Sequence, residues 1–161
     1  MNIRRISFDL VVYESARELE DQDQILLKEA VIARKKAYSP YSKFNVGAAV
    51  LLKNGEIVTG NNQENACYPS GLCAERVAIF YASSKFPGIA IQSIAVSATS
   101  KNFVVNKPAA PCGNCRQSVS EYEIKQNSPI SIIMSGETGE ILKCSSVSDI
   151  LPLAFNSTFL G

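Results

Sequence analysis

The run of residues 46–60 constrains the fold more than any other stretch. Residues 46–52 are apolar without clear alternation, as expected of a strand covered on both faces. Asn54-Gly55 behind them is the strongest short hairpin signal, so residues 56–60 return as an antiparallel partner. Helical patterns flank this hairpin. On its N-terminal side the acidic residues 18–23 lead into a stripe of Leu26, Ala30, Ala33 and Ala37. Arg34, Lys35 and Lys36 fall in its last turns, where cations suit the helix dipole, and Ser39-Pro40 stops it. On the other side residues 74–86 are apolar almost all round, which predicts a buried helix. Residues 89–98, 130–134 and 140–144 read as strands, the last two around a turn at 136–139, and residues 113–125 as a further helix. Ile6, Phe8, Leu10 and Val12 alternate with Ser7, Asp9 and Val11, predicting a strand over 6–12. Residues 149–155 predict a short helix broken by Pro152. Strands alternating with helices define an α/β layered architecture, a single domain over residues 1–161.

Composition narrows the function. A hydrophobic content of 46% over 161 residues suffices for a core. A net charge of +1 gives no electrostatic reason to expect a nucleic-acid partner. No apolar run approaches the ~20 residues of a membrane helix. The basic start Met1-Asn2-Ile3-Arg4-Arg5 runs into Ser7, Phe8 and Asp9 rather than an apolar signal core, so a cytoplasmic protein is expected. The chain has no histidine, which excludes Ser-His and Cys-His nucleophile pairs and every zinc site built on imidazole. Five cysteines in such a chain point to metal binding or catalysis rather than to a disulfide framework.

Three of the cysteines sit at loop-to-helix boundaries. Cys73-Ala74-Glu75-Arg76 opens one predicted helix, and Pro111-Cys112-Gly113-Asn114-Cys115-Arg116-Gln117 opens another. The i, i+3 spacing of Cys112 and Cys115 puts both sulfurs on one face. Free N–H groups and the dipole at a helix start favour thiolate, the form that binds metal. Three thiolates and an open fourth position describe a catalytic zinc site, whereas a structural site closes with four. Positions two apart on a helix point roughly 200° away from each other, so Glu75 does not ligate alongside Cys73. With Cys73 on the boundary and Glu75 in the first turn, both still face one cavity, and Glu75 serves as general base and acid beside the metal. Arg76 and Arg116 are placed to offset the negative charge by hydrogen bonds to sulfur. Cys67 and Cys144 have no partner pattern and read as small buried residues. A structural zinc or thiol-redox module without catalysis is the competing reading of the same thiols.

These motifs resemble the signature of the zinc-dependent cytidine deaminases. The likeness extends to Tyr38-Ser39-Pro40-Tyr41-Ser42-Lys43-Phe44-Asn45-Val46-Gly47-Ala48-Ala49, to Glu64-Asn65-Ala66-Cys67-Tyr68-Pro69 and to Leu151-Pro152-Leu153-Ala154-Phe155. It implies a three-layer α/β/α fold around a mixed, roughly five-stranded sheet. It implies one zinc per subunit on Cys73, Cys112 and Cys115, in a homotetramer with sites at subunit interfaces. Zinc-bound hydroxide would attack C4 of cytidine or deoxycytidine, with Glu75 shuttling protons to N3 and the departing ammonia, a reaction of pyrimidine salvage. Phe44 would pack on the base, while Asn62 and Glu64 would take the ribose hydroxyls. Backbone around Ala74 and the Cys112 loop would contact the base, and Phe155 and the region of Tyr68 would come from a neighbouring subunit. Arg76 and Gln117 would support the zinc ligands. Within the same chemistry, another aminopyrimidine nucleoside such as a nucleoside antibiotic is the alternative substrate. The first 20 or so residues fall outside the resemblance, and the C-terminus lacks the acidic tail associated with it.

Overall fold

In a computed structural model, which describes residues 1–160, the chain forms β1 (Val11–Tyr13), α1 (Asp21–Arg34), β2 (Phe44–Leu52), β3 (Ile57–Asn61), α2 (Ala74–Lys85), β4 (Ile91–Ser100), α3 (Gly113–Gln126), β5 (Ser131–Ser135), β6 (Ile141–Cys144) and α4 (Val147–Ile150). The strands make one sheet in the order β1-β6-β5-β4-β2-β3. The β2–β3 hairpin closes at Gly55, whose φ of +88° is the left-handed geometry an Asn-Gly turn demands. Among the six described strands only β4 and β5 pair in parallel, and α3 supplies the crossover such a pair needs.

The lack of alternation in β2 has the expected cause. Ala48, Val50 and Leu52 pack with Ala74, Ala78 and Ile79 of α2 and Val119 of α3. Ala49 and Leu51 face the other way, onto Leu26, Leu27 and Ala30 of α1. Helices therefore lie on both faces of a mixed sheet of six strands, one more than expected.

Four expectations are corrected. The strand expected over 6–12 reduces to β1, because its partner β6 has only four residues and stops at Cys144, one residue beyond the Val11–Lys143 pair, which leaves residues 6–9 without a partner strand there. α2 is buried on one face only: Phe80 and Tyr81 are 42% and 54% exposed, since the sheet covers a single side of the helix. The helix expected at 149–155 is α4, which begins earlier because Ser146 and Asp149 form a capping box, and which ends ahead of Pro152. Cys144 is buried as expected, but Cys67 is exposed.

Gly60 sets where α2 starts. A Cβ there would lie 2.5 Å from Ala78 N and 2.6 Å from Ala74 O, so the first turns of α2 rest directly on β3. Gly60→Ala is expected to cost about 1–3 kcal/mol by forcing these backbones apart, read as a lowered denaturant midpoint.

Candidate active site

Two helix starts meet in space. Cys73 caps α2, Cys112 caps α3, and Cys115 sits in the first turn of α3. At both starts the backbone N–H groups lack intrahelical partners and carry the positive end of the dipole. Cys73 Sγ stands 3.8 Å from Cys112 Sγ, Cys112 Sγ stands 3.5 Å from Cys115 Sγ, and all three sulfurs lie within 4.8 Å of one another. Tetrahedral zinc with bonds of about 2.3 Å separates its sulfurs by about 3.8 Å, so the three residues fit the ion.

The electrostatics agree. A hydrogen bond from Cys115 brings the Cys73 thiol down to about 5, with Arg76 helping and burial opposing. The same hydrogen bond, burial and the charges of Glu75 and Cys73 push Cys115 up. One thiolate forms readily, and gathering more of them in this corner calls for a cation. Arg76 Nη2 donates to Cys73 Sγ at 3.7 Å, as expected. Arg116 does not reach sulfur. Its Nε donates to Pro111 O and its Nη1 to Ile150 O, each at 2.8 Å, so it ties the Cys112 loop to α4. Gln117 likewise leaves the thiols alone and donates through Nε2 to Phe155 O at 2.8 Å.

Glu75 is 4% exposed and lines a cavity of about 450 Å³ with Phe44, Val46, Cys73, Ala110 and Cys112. Burial pushes its carboxyl above the ordinary range, and the neighbouring Cys73 charge adds to this. A carboxyl so placed takes up and releases protons more readily near neutral pH than an exposed one. Ala74 is fully buried at the start of α2, so any contact it makes to a ligand is through backbone. A second cavity, of about 480 Å³, shares Ser42, Asn62, Glu64 and Cys73 with the first and opens toward Tyr41 and Tyr68.

Asn62 and Glu64 are already engaged. Asn62 Oδ1 accepts from Val46 N at 2.7 Å and Nδ2 donates to Phe44 O at 2.9 Å, which fixes the start of β2 and with it Phe44. The Glu64 carboxylate accepts from Tyr41 N at 2.9 Å, Ser42 N at 3.2 Å and Ser42 Oγ. Burial alone would raise its pKa, but these hydrogen bonds outweigh burial and hold the carboxyl below its usual range. Ser42 had no role from sequence. Its Oγ also accepts from Phe44 N at 3.0 Å, and Lys43 between them takes a left-handed φ of 59°. The signal for this tight turn was a serine two residues before Phe44, a spacing at which a hydroxyl competes for backbone N–H.

Phe155 lines neither cavity. It is 57% exposed, with its ring stacked on Phe159 at 5.5 Å. Tyr68, at the mouth of the outer cavity, is 76% exposed and 6.2 Å from the Tyr41 ring. Among the described residues no helix is long and apolar enough to cross a membrane.

Residues 20–128 match the family model described as the cytidine and deoxycytidylate deaminase zinc-binding region. The cytidine deaminase of Halalkalibacterium halodurans is 42% identical over 134 residues, spanning 83% of this chain and 94% of that protein. The cytidine deaminase of Sporosarcina psychrophila is 39% identical over 137 residues, spanning 84% and 93%. The crystal structure of cytidine deaminase from Burkholderia pseudomallei is similar at a TM-score of 0.70 and 38% identity, covering 81% of this chain and 97% of that one. The chain belongs to the cytidine and deoxycytidylate deaminase zinc-binding family.

Proposed function

We propose that the chain hydrolyses cytidine and deoxycytidine to uridine and deoxyuridine with release of ammonia. The observation that carries this is the juxtaposition of three converging thiols with the buried Glu75 on one cavity. The cytidine deaminases to which the chain is similar support it.

Cys73, Cys112 and Cys115 would hold one zinc ion, which supplies the Lewis acidity that makes water a nucleophile near neutral pH. Glu75 accepts a proton from the attacking water and passes it to N3 of the ring as oxygen adds to C4. Glu75 then carries the remaining hydroxyl proton to the amino nitrogen. The C4–N4 bond breaks, ammonia leaves, and the C4 carbonyl and N3–H of uridine remain. The backbone of Ala74 and of the Cys112 loop orients the base, and Phe44 offers it an apolar face. Asn62 and Glu64 meet the ribose hydroxyls with acceptor capacity left over from their internal hydrogen bonds. Arg76 offsets the charge on Cys73, while Arg116 and Gln117 brace the Cys112 loop and the segment of Phe155.

Residues 1–161 work as one deaminase unit, and the reaction belongs to pyrimidine salvage in the cytoplasm, which suits five free cysteines. The unit assembles as a homotetramer in which Phe155 and Tyr68 complete the site of a neighbouring subunit. Their exposure, together with that of Phe80 and Tyr81, supports this.

The test measures ammonia release from cytidine, deoxycytidine and free cytosine, with zinc content determined on the same sample. Turnover of the two nucleosides but not of cytosine, at one zinc per chain, is expected. No release from either nucleoside by zinc-loaded protein overturns the reading.

A further inference from the structure

β1 is an edge strand of the sheet, and among the described residues no strand pairs with its outer side. β1 pairs through Val11, Val12 and Tyr13 with β6 on one side and stands at the end of the strand order on the other. The residues before it run past the end of β6 and carry Ile3, Ile6, Phe8 and Leu10, which like Val11 and Val12 of β1 itself are 39–89% exposed. Natural edges are usually guarded by Pro, by inward charges or by a covering segment, because an open strand is a template for another strand. This one has no Pro or Gly from residue 2 to residue 13, and its apolar side chains alternate, as a half-covered strand requires. The segment lies before residue 20, where the family match begins, so the deaminase core does not account for it.

Charge then selects the occupant. In an antiparallel pair about a twofold axis perpendicular to the sheet, residues facing each other must point to the same side, so they are an even number of positions apart. Centring the axis on Ser7 sets Arg5 against Asp9 twice, Ile6 against Phe8 twice, and Ser7 against itself. Centring it on Ile6 or Phe8 instead leaves Asp9 opposite Ile3 or Ser7. Opposite-charge and apolar cross-strand pairs each favour a register. We propose that residues 3–11 pair antiparallel with the same residues of a second copy of this chain, with the twofold axis at Ser7. The overhang past β6 lets the two arms lap while their sheets stay offset along the strands. The contact is isologous, as a twofold demands.

Crosslinking reads the register directly. Facing residues of paired strands have Cα atoms about 4.5–5.5 Å apart, within disulfide reach. Ser7→Cys, made in zinc-loaded full-length protein carrying Cys67→Ser, is therefore expected to give a disulfide-linked dimer on mild diamide treatment. Leu10→Cys is the matched control, since it keeps the Arg5–Asp9 pair: its two copies lie six residues apart in this register, about 20 Å, and link at least about tenfold more slowly. Adding Asp9→Arg to Ser7→Cys slows the link, and adding Arg5→Asp as well restores it. Unchanged cytidine turnover shows that each variant is folded. Equal rates at positions 7 and 10, or a rate indifferent to the charge exchange, overturn the pairing and leave the arm to its own subunit or to a different protein.

Discussion

Glu75→Gln lowers cytidine deamination by about 10²–10⁴-fold, the span general acid–base catalysis contributes, while zinc content and unfolding midpoint stay near those of the parent chain. Glutamine keeps the volume of a side chain that is 4% exposed and packed beside Cys73. It keeps one carbonyl oxygen as an acceptor in place of the carboxylate, so the cavity retains its shape. It loses the capacity to hold a proton between water and the ring. Because burial already penalises the Glu75 charge, removing that charge does not weaken the fold. Ammonia release under saturating cytidine, with metal analysis on the same preparation, makes the measurement. A variant that keeps most of its turnover would show that the proton travels by another group. A variant that loses zinc as well would make Glu75 part of the metal site.

Removing a thiol acts differently. Cys112→Ser takes away the sulfur that sits between the other two, 3.8 Å from Cys73 and 3.5 Å from Cys115. Zinc content is expected to fall to background and deamination with it, since a hydroxyl does not replace thiolate for this ion. Stability gives a second readout. A bound ion stabilises the folded state by RT ln(1 + [L]/Kd), about 4 kcal/mol when it is a thousandfold above its Kd. A chelator should therefore lower the melting temperature of the parent chain and leave that of Cys112→Ser unmoved. Equal sensitivity of the two proteins would mean that the three thiols hold no metal. The comparison separates loss of the ion from misfolding, because a misfolded variant has no transition to compare.

Much of this was legible in the sequence for specific reasons. The Asn-Gly turn fixed the β2–β3 hairpin to within a residue or two, and the uniform apolarity of β2 announced layers on both faces. The thiol spacing placed three sulfurs and Glu75 at helix starts, where backbone electrostatics favour them. What stayed hidden depends on neighbours that are distant in sequence. Arg116 was indistinguishable from Arg76 until its direction was known, since either guanidinium has the reach to touch sulfur or carbonyl. The inner hydrogen bonds of Asn62 and Glu64 could not be seen either, because their partners lie 16 to 23 residues away. The length of β1 depended on where β6 stops, and no pattern within residues 6–12 carries that information.

Gly60, Asn62 and Glu64 occupy alternate residues, and each addresses a different wall of the cavity: the start of α2, the start of β2 and the turn at Tyr41-Ser42. The spacing itself is therefore a fixed dimension of the enzyme. Deleting one residue here would exchange the inward and outward sets, bringing Asn61 or Gln63 to places that only a glycine, an amide clamp or a carboxylate fills. Length variation among relatives should accordingly collect after Glu64, in the exposed stretch around Tyr68, and stay out of the five residues from Gly60 to Glu64.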